Sequence, residues 1–279
     1  MDHRSERIFR HLPTLLLVSF AIPLLGQAPQ AIPPTEPLII AHRGDSQARP
    51  ENTLAAIRSA VAVKADWIEF DVRSINNGAL YLLHDDNLER FKRGKRKVQT
   101  LTDSDVAKLD VGTWFNPEYA AERAPTLADA LRACLDGKTV PLIERKTGTP
   151  TAYLKVIREL KAEKKVVLQS FDWAFLAEIR KLEPSIRIGA LHGKDMAEIH
   201  WQKLRKLQPE WVGWKDEKLS QALVERFHKE GFKVAVWTVN KESEIQKFAA
   251  HGVDAIITDR PKVARELLAE SEEVEGAKK

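Results

Sequence analysis

Short apolar runs alternate with stretches in which apolar residues recur every three or four positions, from Leu38 almost to the end of the chain. Runs of about four to eight apolar residues predict buried strands, whereas the longer periodicity predicts amphipathic helices. The strand pattern falls at Leu38–Ala41, Trp67–Val72, Leu80–Leu83, Val140–Ile143, Val166–Leu168, Ile186–Leu191, Trp211–Trp214, Val234–Val239 and Ala255–Thr258. The helical pattern falls at Glu51–Val63, Thr126–Leu135, Ala152–Glu163, Asp172–Leu182, Met196–Leu207, Asp216–Gly231, Lys241–His251 and Pro261–Glu270. Asp172, Asp216 and Pro261 suit the first positions of their helices: a carboxylate accepts from the orphan amides there, and proline has no amide to leave unpaired.

Repeated βα units with strands apolar on both faces predict parallel pairing. Over roughly 220 residues the natural closure is a TIM (β/α)8 barrel in a single α/β domain. Two features strain that count. Nine strand patterns are one too many, and the stretch Arg73–Ala79 is too short for the helix that joins parallel neighbours. An irregularity near the second strand is therefore expected, as a hairpin-like return. The connection Asp86–Pro125 is long enough to be a functional loop or cap.

The ends of the chain read differently. Arg4, Arg7 and Arg10 precede an apolar stretch from Leu12 to Leu25, which closes on Gly26-Gln27-Ala28. This pattern predicts a signal peptide over residues 1–28 and an exported, periplasmic or extracellular protein, with an uncleaved membrane anchor as the alternative because Pro29 follows Ala28. Residues 29–37, PQAIPPTEP, form a Pro-rich linker. The domain is expected over residues 38–270, with a charged tail at 271–279. Cys134 is the single cysteine, so no internal disulfide can form.

Composition, with 43% hydrophobic and 30% charged residues, is that of a globular protein. The formal charge of +4 is mostly dispersed. One dense run, Arg90 to Lys97, reads as a solvated basic loop, with transient contact to an anionic membrane surface as the alternative. No finger, RNP motif or aromatic-basic interleaving points to nucleic acid. No dinucleotide or P-loop glycine pattern is present, and Ser170 lacks the setting of a nucleophile elbow. His192, His200, His228 and His251 are read as surface or packing residues.

Polar residues collect where the apolar strands end. Ile39-Ile40-Ala41 delivers His42-Arg43-Gly44, an imidazole able to shuttle protons and a guanidinium that matches phosphate oxygens. In Trp67–Val72, Glu69 and Asp71 share one strand face while Ile68, Phe70 and Val72 take the other. Two inward carboxylates require a cation between them; hard oxygen donors suit Ca²⁺ or Mg²⁺, and an Arg or Lys partner is the structural alternative. A third run ends in His84-Asp85, and a fourth puts Glu144 and Lys146 on one face. Two histidines, three carboxylates, an arginine and a lysine are what metal-assisted phosphoester cleavage requires.

The chain also resembles the glycerophosphodiester phosphodiesterase family. The resemblance rests on His42-Arg43-Gly44, Pro50-Glu51-Asn52-Thr53, Glu69-x-Asp71, His84-Asp85, Pro125-Thr126-Leu127, Glu144-x-Lys146, Gln169-Ser170-Phe171-Asp172, Trp237-Thr238-Val239-Asn240 and Ile257-Thr258-Asp259-Arg260-Pro261, in the family's order. It implies hydrolysis of glycerophosphodiesters to sn-glycerol 3-phosphate and an alcohol with a divalent cation. By the same resemblance His42 and His84 are the acid/base pair and Glu69, Asp71 and Glu144 the metal ligands. Arg43 and Lys146 would contact phosphate, and Glu51 and Trp237 would line the pocket. Lysophospholipid cleavage, a cyclic-phosphate-forming reaction, and a non-catalytic phosphate-ester binding protein are the alternatives.

Overall fold

The computed structural model describes Met1 and residues 36–276, with side chains to residue 269; the expected signal segment and most of the linker lie outside the described residues. Parallel strands β1 (Leu38–Ala41), β2 (Trp67–Ser74), β4 (Val140–Arg145), β5 (Val167–Ser170), β6 (Arg187–His192), β7 (Trp211–Lys215), β8 (Lys233–Trp237) and β9 (Ala255–Thr258) close on themselves, because β1 pairs with both β9 and β2. Helices α1 (Leu54–Ala62), α3 (Leu127–Asp136), α4 (Pro150–Glu159), α5 (Trp173–Leu182), α6 (Glu198–Leu207), α7 (Gln221–Lys229), α8 (Glu242–Ala250) and α9 (Pro261–Gly276) follow the barrel strands in turn. This is the expected TIM barrel.

The ninth run is β3 (Leu80–Leu82), which returns antiparallel on β2 with Val72 opposite Leu82. The five residues between Ser74 and Leu80 cannot hold a crossover helix, so the chain turns back outside the barrel. The expected hairpin is therefore present.

Strand alternation divides two apolar layers. Ile68, Phe70, Val72 and Ile143 pack outward against the helices, in a core that includes Tyr153, Leu168 and Trp214. Trp67 and Leu142 point inward with Ile40, Val167, Trp211 and Ile257, filling the barrel interior. Two residues further along the same faces stand Glu69 and Glu144, and the next inward position of β2 is Asp71. This apolar layer thus gives way to acid at the C-terminal mouth, where TIM-barrel sites are built.

Local chemistry sets the element ends. Thr53 caps α1 by accepting from the Ala56 amide, so Glu51 and Asn52, expected inside that helix, remain in the preceding turn and face the mouth. Asp172 caps α5, and Thr126 with Asp129 forms a reciprocal cap on α3. A 3-10 turn, Asp216–Lys218, precedes α7, whose cap is Ser220 rather than Asp216. Helix α9 runs to Gly276, beyond the Glu270 limit read from the periodicity.

The connection Asp86–Pro125 carries a short helix α2 (Asp103–Ala107) and three 3-10 turns. Leu88, Val98, Leu101, Val106, Leu109 and Val111 form its own small core, closed by Ile75 and Leu83. It is a packed cap rather than a loose loop. Among the described residues no helix is long and apolar enough to cross a membrane.

Candidate active site

The structure brings His42, Arg43, Glu69, His84, Glu144, Lys146 and Trp237 around one cavity of about 290 Å³ at the barrel mouth. Glu69 and Asp71 come from β2 and Glu144 from β4, where Asp71 and Glu144 are register partners. One oxygen from each of the three lies within 4.8 Å of the others, and all three residues are buried.

Two cations offset this charge in part. Lys146 Nζ stands 3.2 Å from Asp71 and 2.5 Å from Glu144, and Arg43 Nε stands 3.2 Å from Asp71. Asn52 fixes Asp71 from behind, donating to its carboxylate at 2.9 Å and accepting its backbone amide at 3.0 Å. Burial alone would raise the Asp71 carboxyl, but Lys146, Arg43 and the Asn52 hydrogen bond hold it below the usual aspartate range. Glu69 is driven the other way, well above the glutamate range, first by burial and then by Asp71 and Glu144. Glu144 is raised by the same two causes, burial and Asp71.

Glu69 Oε2 accepts the Arg43 amide at 2.9 Å, whereas its Oε1 is buried without a hydrogen-bond partner. An orphaned carboxylate oxygen in an all-oxygen triad carries a desolvation cost unless a cation completes it. The donor set therefore fits a hard divalent cation.

Each catalytic-candidate imidazole is backed by a carboxylate. His42 Nδ1 bonds Asp259 Oδ1 at 2.6 Å. Asp259 also accepts from Ser46 at 2.9 Å and from Asn240 at 2.6 Å, while its amide donates to Asn240 Oδ1. Against burial, which raises it, these bonds and the charge of His42 bring the Asp259 carboxyl down to about 2. His84 Nδ1 bonds Asp85 Oδ1 at 2.9 Å. The His84 pKa is lowered by burial, then by the charges of Arg43 and Lys146, against the opposing pull of Asp71 and Asp85. With Nδ1 engaged on both rings, Nε2 is the nitrogen left for proton transfer.

The backbone at the start of this site is unusually tight. Arg43 and Gly44 have φ of 56° and 82°, and a Cβ on Gly44 would lie 2.7 Å from Ala56. Only glycine allows the chain to turn there and bring Arg43 over β2.

Glu51 accepts from Arg43 at 2.9 and 3.0 Å, and Trp237 packs edge-on against Phe171 with ring centres 5.6 Å apart. Sequence reasoning gave no role to Asp259, Asn240, Asn52 or Asp85, although each sits inside a motif quoted above. It also misread Arg90. Within the basic run, Arg90 turns inward, 2.8 Å from both Glu51 and Asp85, with its guanidinium 5.1 Å from the Trp114 ring centre. Arg96 and Lys97 are paired with Asp105 and Asp86, which leaves Lys92, Arg93 and Lys95 as the solvated part. The carboxylate partners of Arg90, Arg96 and Lys97 lie at no regular spacing, 5, 9 and 11 residues away for Asp85, Asp105 and Asp86, so charge density alone could not separate them.

The profile of the Glycerophosphoryl diester phosphodiesterase family matches residues 42–263. A glycerophosphodiester phosphodiesterase of Caldanaerobacter subterraneus is 34% identical over 241 residues, covering 83% of this chain and 97% of its own. One from Bacillus subtilis is 29% identical over 271 residues, covering 89% and 92%. A phosphodiesterase from Oleispira antarctica, solved in complex with the product sn-glycerol 3-phosphate, superposes with a TM-score of 0.80 at 26% identity, covering 84% and 97%. With the barrel, the buried acidic triad and a profile match spanning most of the chain, the protein belongs to the glycerophosphoryl diester phosphodiesterase family.

Proposed function

We propose that this enzyme hydrolyses glycerophosphodiesters to sn-glycerol 3-phosphate and an alcohol, with Ca²⁺ or Mg²⁺ held by Glu69, Asp71 and Glu144. The observation that carries the reading is the convergence, on one cavity, of three buried carboxylates and two carboxylate-backed imidazoles. A divalent cation in the triad would supply charge to the phosphoryl oxygens and lower the barrier to attack at phosphorus. Arg43 and Lys146 flank the same carboxylates and offer N–H donors to the remaining phosphate oxygens. Glu51 orients the Arg43 guanidinium, and Trp237 with Phe171 forms an apolar wall of the cavity.

His42, tied to an aspartate that three side chains hold ionised, acts as the base on the attacking oxygen. The adjacent carboxylate stabilises the imidazolium that forms. His84, whose lowered pKa makes its imidazolium a readier proton donor, protonates the departing alkoxide. The proton moves between the two Nε2 atoms and the substrate, so each turnover returns both rings to their starting state once His84 is reprotonated by His42 or solvent.

The basic, apolar and small-residue order of residues 1–28 supports export to the periplasm or cell exterior. The test of function is a panel of choline, ethanolamine, glycerol and inositol glycerophosphodiesters and lysophospholipids, each with Ca²⁺, Mg²⁺ or Mn²⁺, followed by phosphorus NMR. Open sn-glycerol 3-phosphate is the expected product; a cyclic phosphate would assign the first attack to the substrate's own hydroxyl. Chelation should abolish turnover, and activity surviving exhaustive chelation would remove the metal from the reaction.

A further inference from the structure

A second cavity of about 640 Å³ lies beside the catalytic one, and Phe171 lines both. It runs between α5 and α6 and opens at the mouth, where His192 ends β6. Nothing in the proposed hydrolysis uses it.

Its chemistry is one-sided. His192 and His200 pack with ring centres 4.5 Å apart and planes tilted by 54°, beside Trp173. His192 Nε2 is buried without a hydrogen-bond partner. His200 uses Nδ1 to accept the Ala197 amide at 3.0 Å, so its Nε2 carries the proton. On the same face of α6, three and six residues after His200, stand Lys203 and Lys206, which enter no ion pair among the described residues. Burial, then His200 and Lys194, depress the His192 pKa, as a positive surrounding should. The carboxylate in the lining, Asp172, is already occupied, capping α5 and pairing with Arg145 at 3.0 Å. Arg180, at the far end, is neutralised by Glu210 at 2.7 Å. What remains in the lining is two ammonium groups and two imidazoles over an aromatic wall, with no uncommitted carboxylate: the complement of a phosphoryl anion.

We propose that this cavity is a second phosphate subsite, which receives a phosphoryl group carried by the substrate beyond the scissile diester. The proposal rests on the phosphodiesterase reading and narrows it, favouring leaving alcohols that bear a phosphate of their own. Phe171 lines both cavities, which places the second one on the path of a leaving alcohol that extends from the first.

The test uses the full-length, metal-loaded enzyme and two substrates, glycerophosphoglycerol and its analogue with a terminal phosphomonoester on the leaving glycerol. The wild type should show about tenfold higher kcat/KM on the phosphate-bearing substrate, in line with two exposed ammonium contacts plus the imidazole donors. Lys203→Glu/Lys206→Glu should erase that preference and leave kcat/KM on glycerophosphoglycerol, which lacks the phosphomonoester, unchanged. A second arm titrates inorganic phosphate and follows the ring C–H signals of His192 and His200 by NMR, assigned with His192→Gln and His200→Gln. Preference together with shifts assigns the site to substrate-borne phosphate. Shifts without preference, lost in the double variant, assign it to free phosphate and overturn the substrate subsite. Equal rates and unmoved signals overturn the anion site altogether. Should neither diester be cleaved, the hydrolase reading falls, and the phosphate titration still decides the cavity.

Discussion

Glu69→Gln should raise the stability of the metal-free enzyme and lower that of the metal-loaded one. The triad oxygens lie within 4.8 Å of one another, and two unit charges at that separation repel by about 3.5 kcal/mol at an effective dielectric near 20. Glu69 faces two such neighbours, while the nearby cations are committed chiefly to Asp71 and Glu144. The carboxyl therefore either stays ionised against Asp71 and Glu144 or keeps its proton against the solvent, and glutamine removes both costs. If about a third to a half of one pair's repulsion goes uncompensated, the gain is about 1–2 kcal/mol. For a barrel of this size that is a rise of roughly 2–8 °C in Tm.

The sign with pH is fixed by the direction of the shift. Glu69 is raised above its ordinary value of 4.5, so the folded protein binds more protons than the unfolded chain. Wild-type apo stability is full below that ordinary value and falls as pH rises toward the raised one; the glutamine variant lacks this loss. The advantage of Glu69→Gln should thus be absent in acid and grow toward neutral pH. With cation at about a hundred times its Kd the wild type gains about 2.7 kcal/mol, which the variant forfeits in proportion to its weakened binding. Thermal unfolding in chelator and in saturating Ca²⁺, across acid to neutral pH, reads all of this. A variant less stable than wild type in chelator at neutral pH would refute the reasoning and make Glu69 a structural ion-pair partner.

Other outcomes follow from the same geometry. His42→Ala and His84→Ala should each lower kcat at least about a hundredfold with little change in substrate affinity. A p-nitrophenyl leaving group should rescue His84→Ala selectively, and rescue of His42→Ala instead would reverse the two roles. Asp259→Asn keeps the contact to His42 but removes its charge; kcat should drop about tenfold or more while Tm and metal affinity stay near wild type. Arg90→Lys retains one charge but cannot span Asp85 and Glu51 together; kcat/KM should fall several-fold, and an unchanged value would confine Arg90 to holding the cap.

Much of the site was legible because strand periodicity and motif order coincide. Glu69, Asp71, Glu144 and Lys146 could be placed on inward faces from their spacing alone, since side chains two apart in a strand share a side. The roles of Asp259 and Asn240 were not legible, since His42 and Asp259 are 217 residues apart and meet only where β1 pairs with β9. Arg90 failed for a different reason. Within one run of cations, nothing local distinguishes the residue that finds Glu51 and Asp85 from those that remain in water.

The barrel, its irregular second strand and the residue types at its mouth could be read along the chain, because these follow from periodicity, crossover length and the side to which each strand residue points. Helix limits were less secure: α1 starts at Leu54 behind its cap Thr53 rather than at Glu51, and Asn52 is drawn away to Asp71. How charge is shared depended on the folded barrel. It gave Asp71 two cations and left Glu69 with an orphaned oxygen, placed a carboxylate behind His42 and behind His84, and set a cavity lined by Lys203, Lys206, His192 and His200 beside the site. Pattern along the chain fixes which face a residue occupies, whereas electrostatic energy depends on distances across strands that closure of the barrel alone creates.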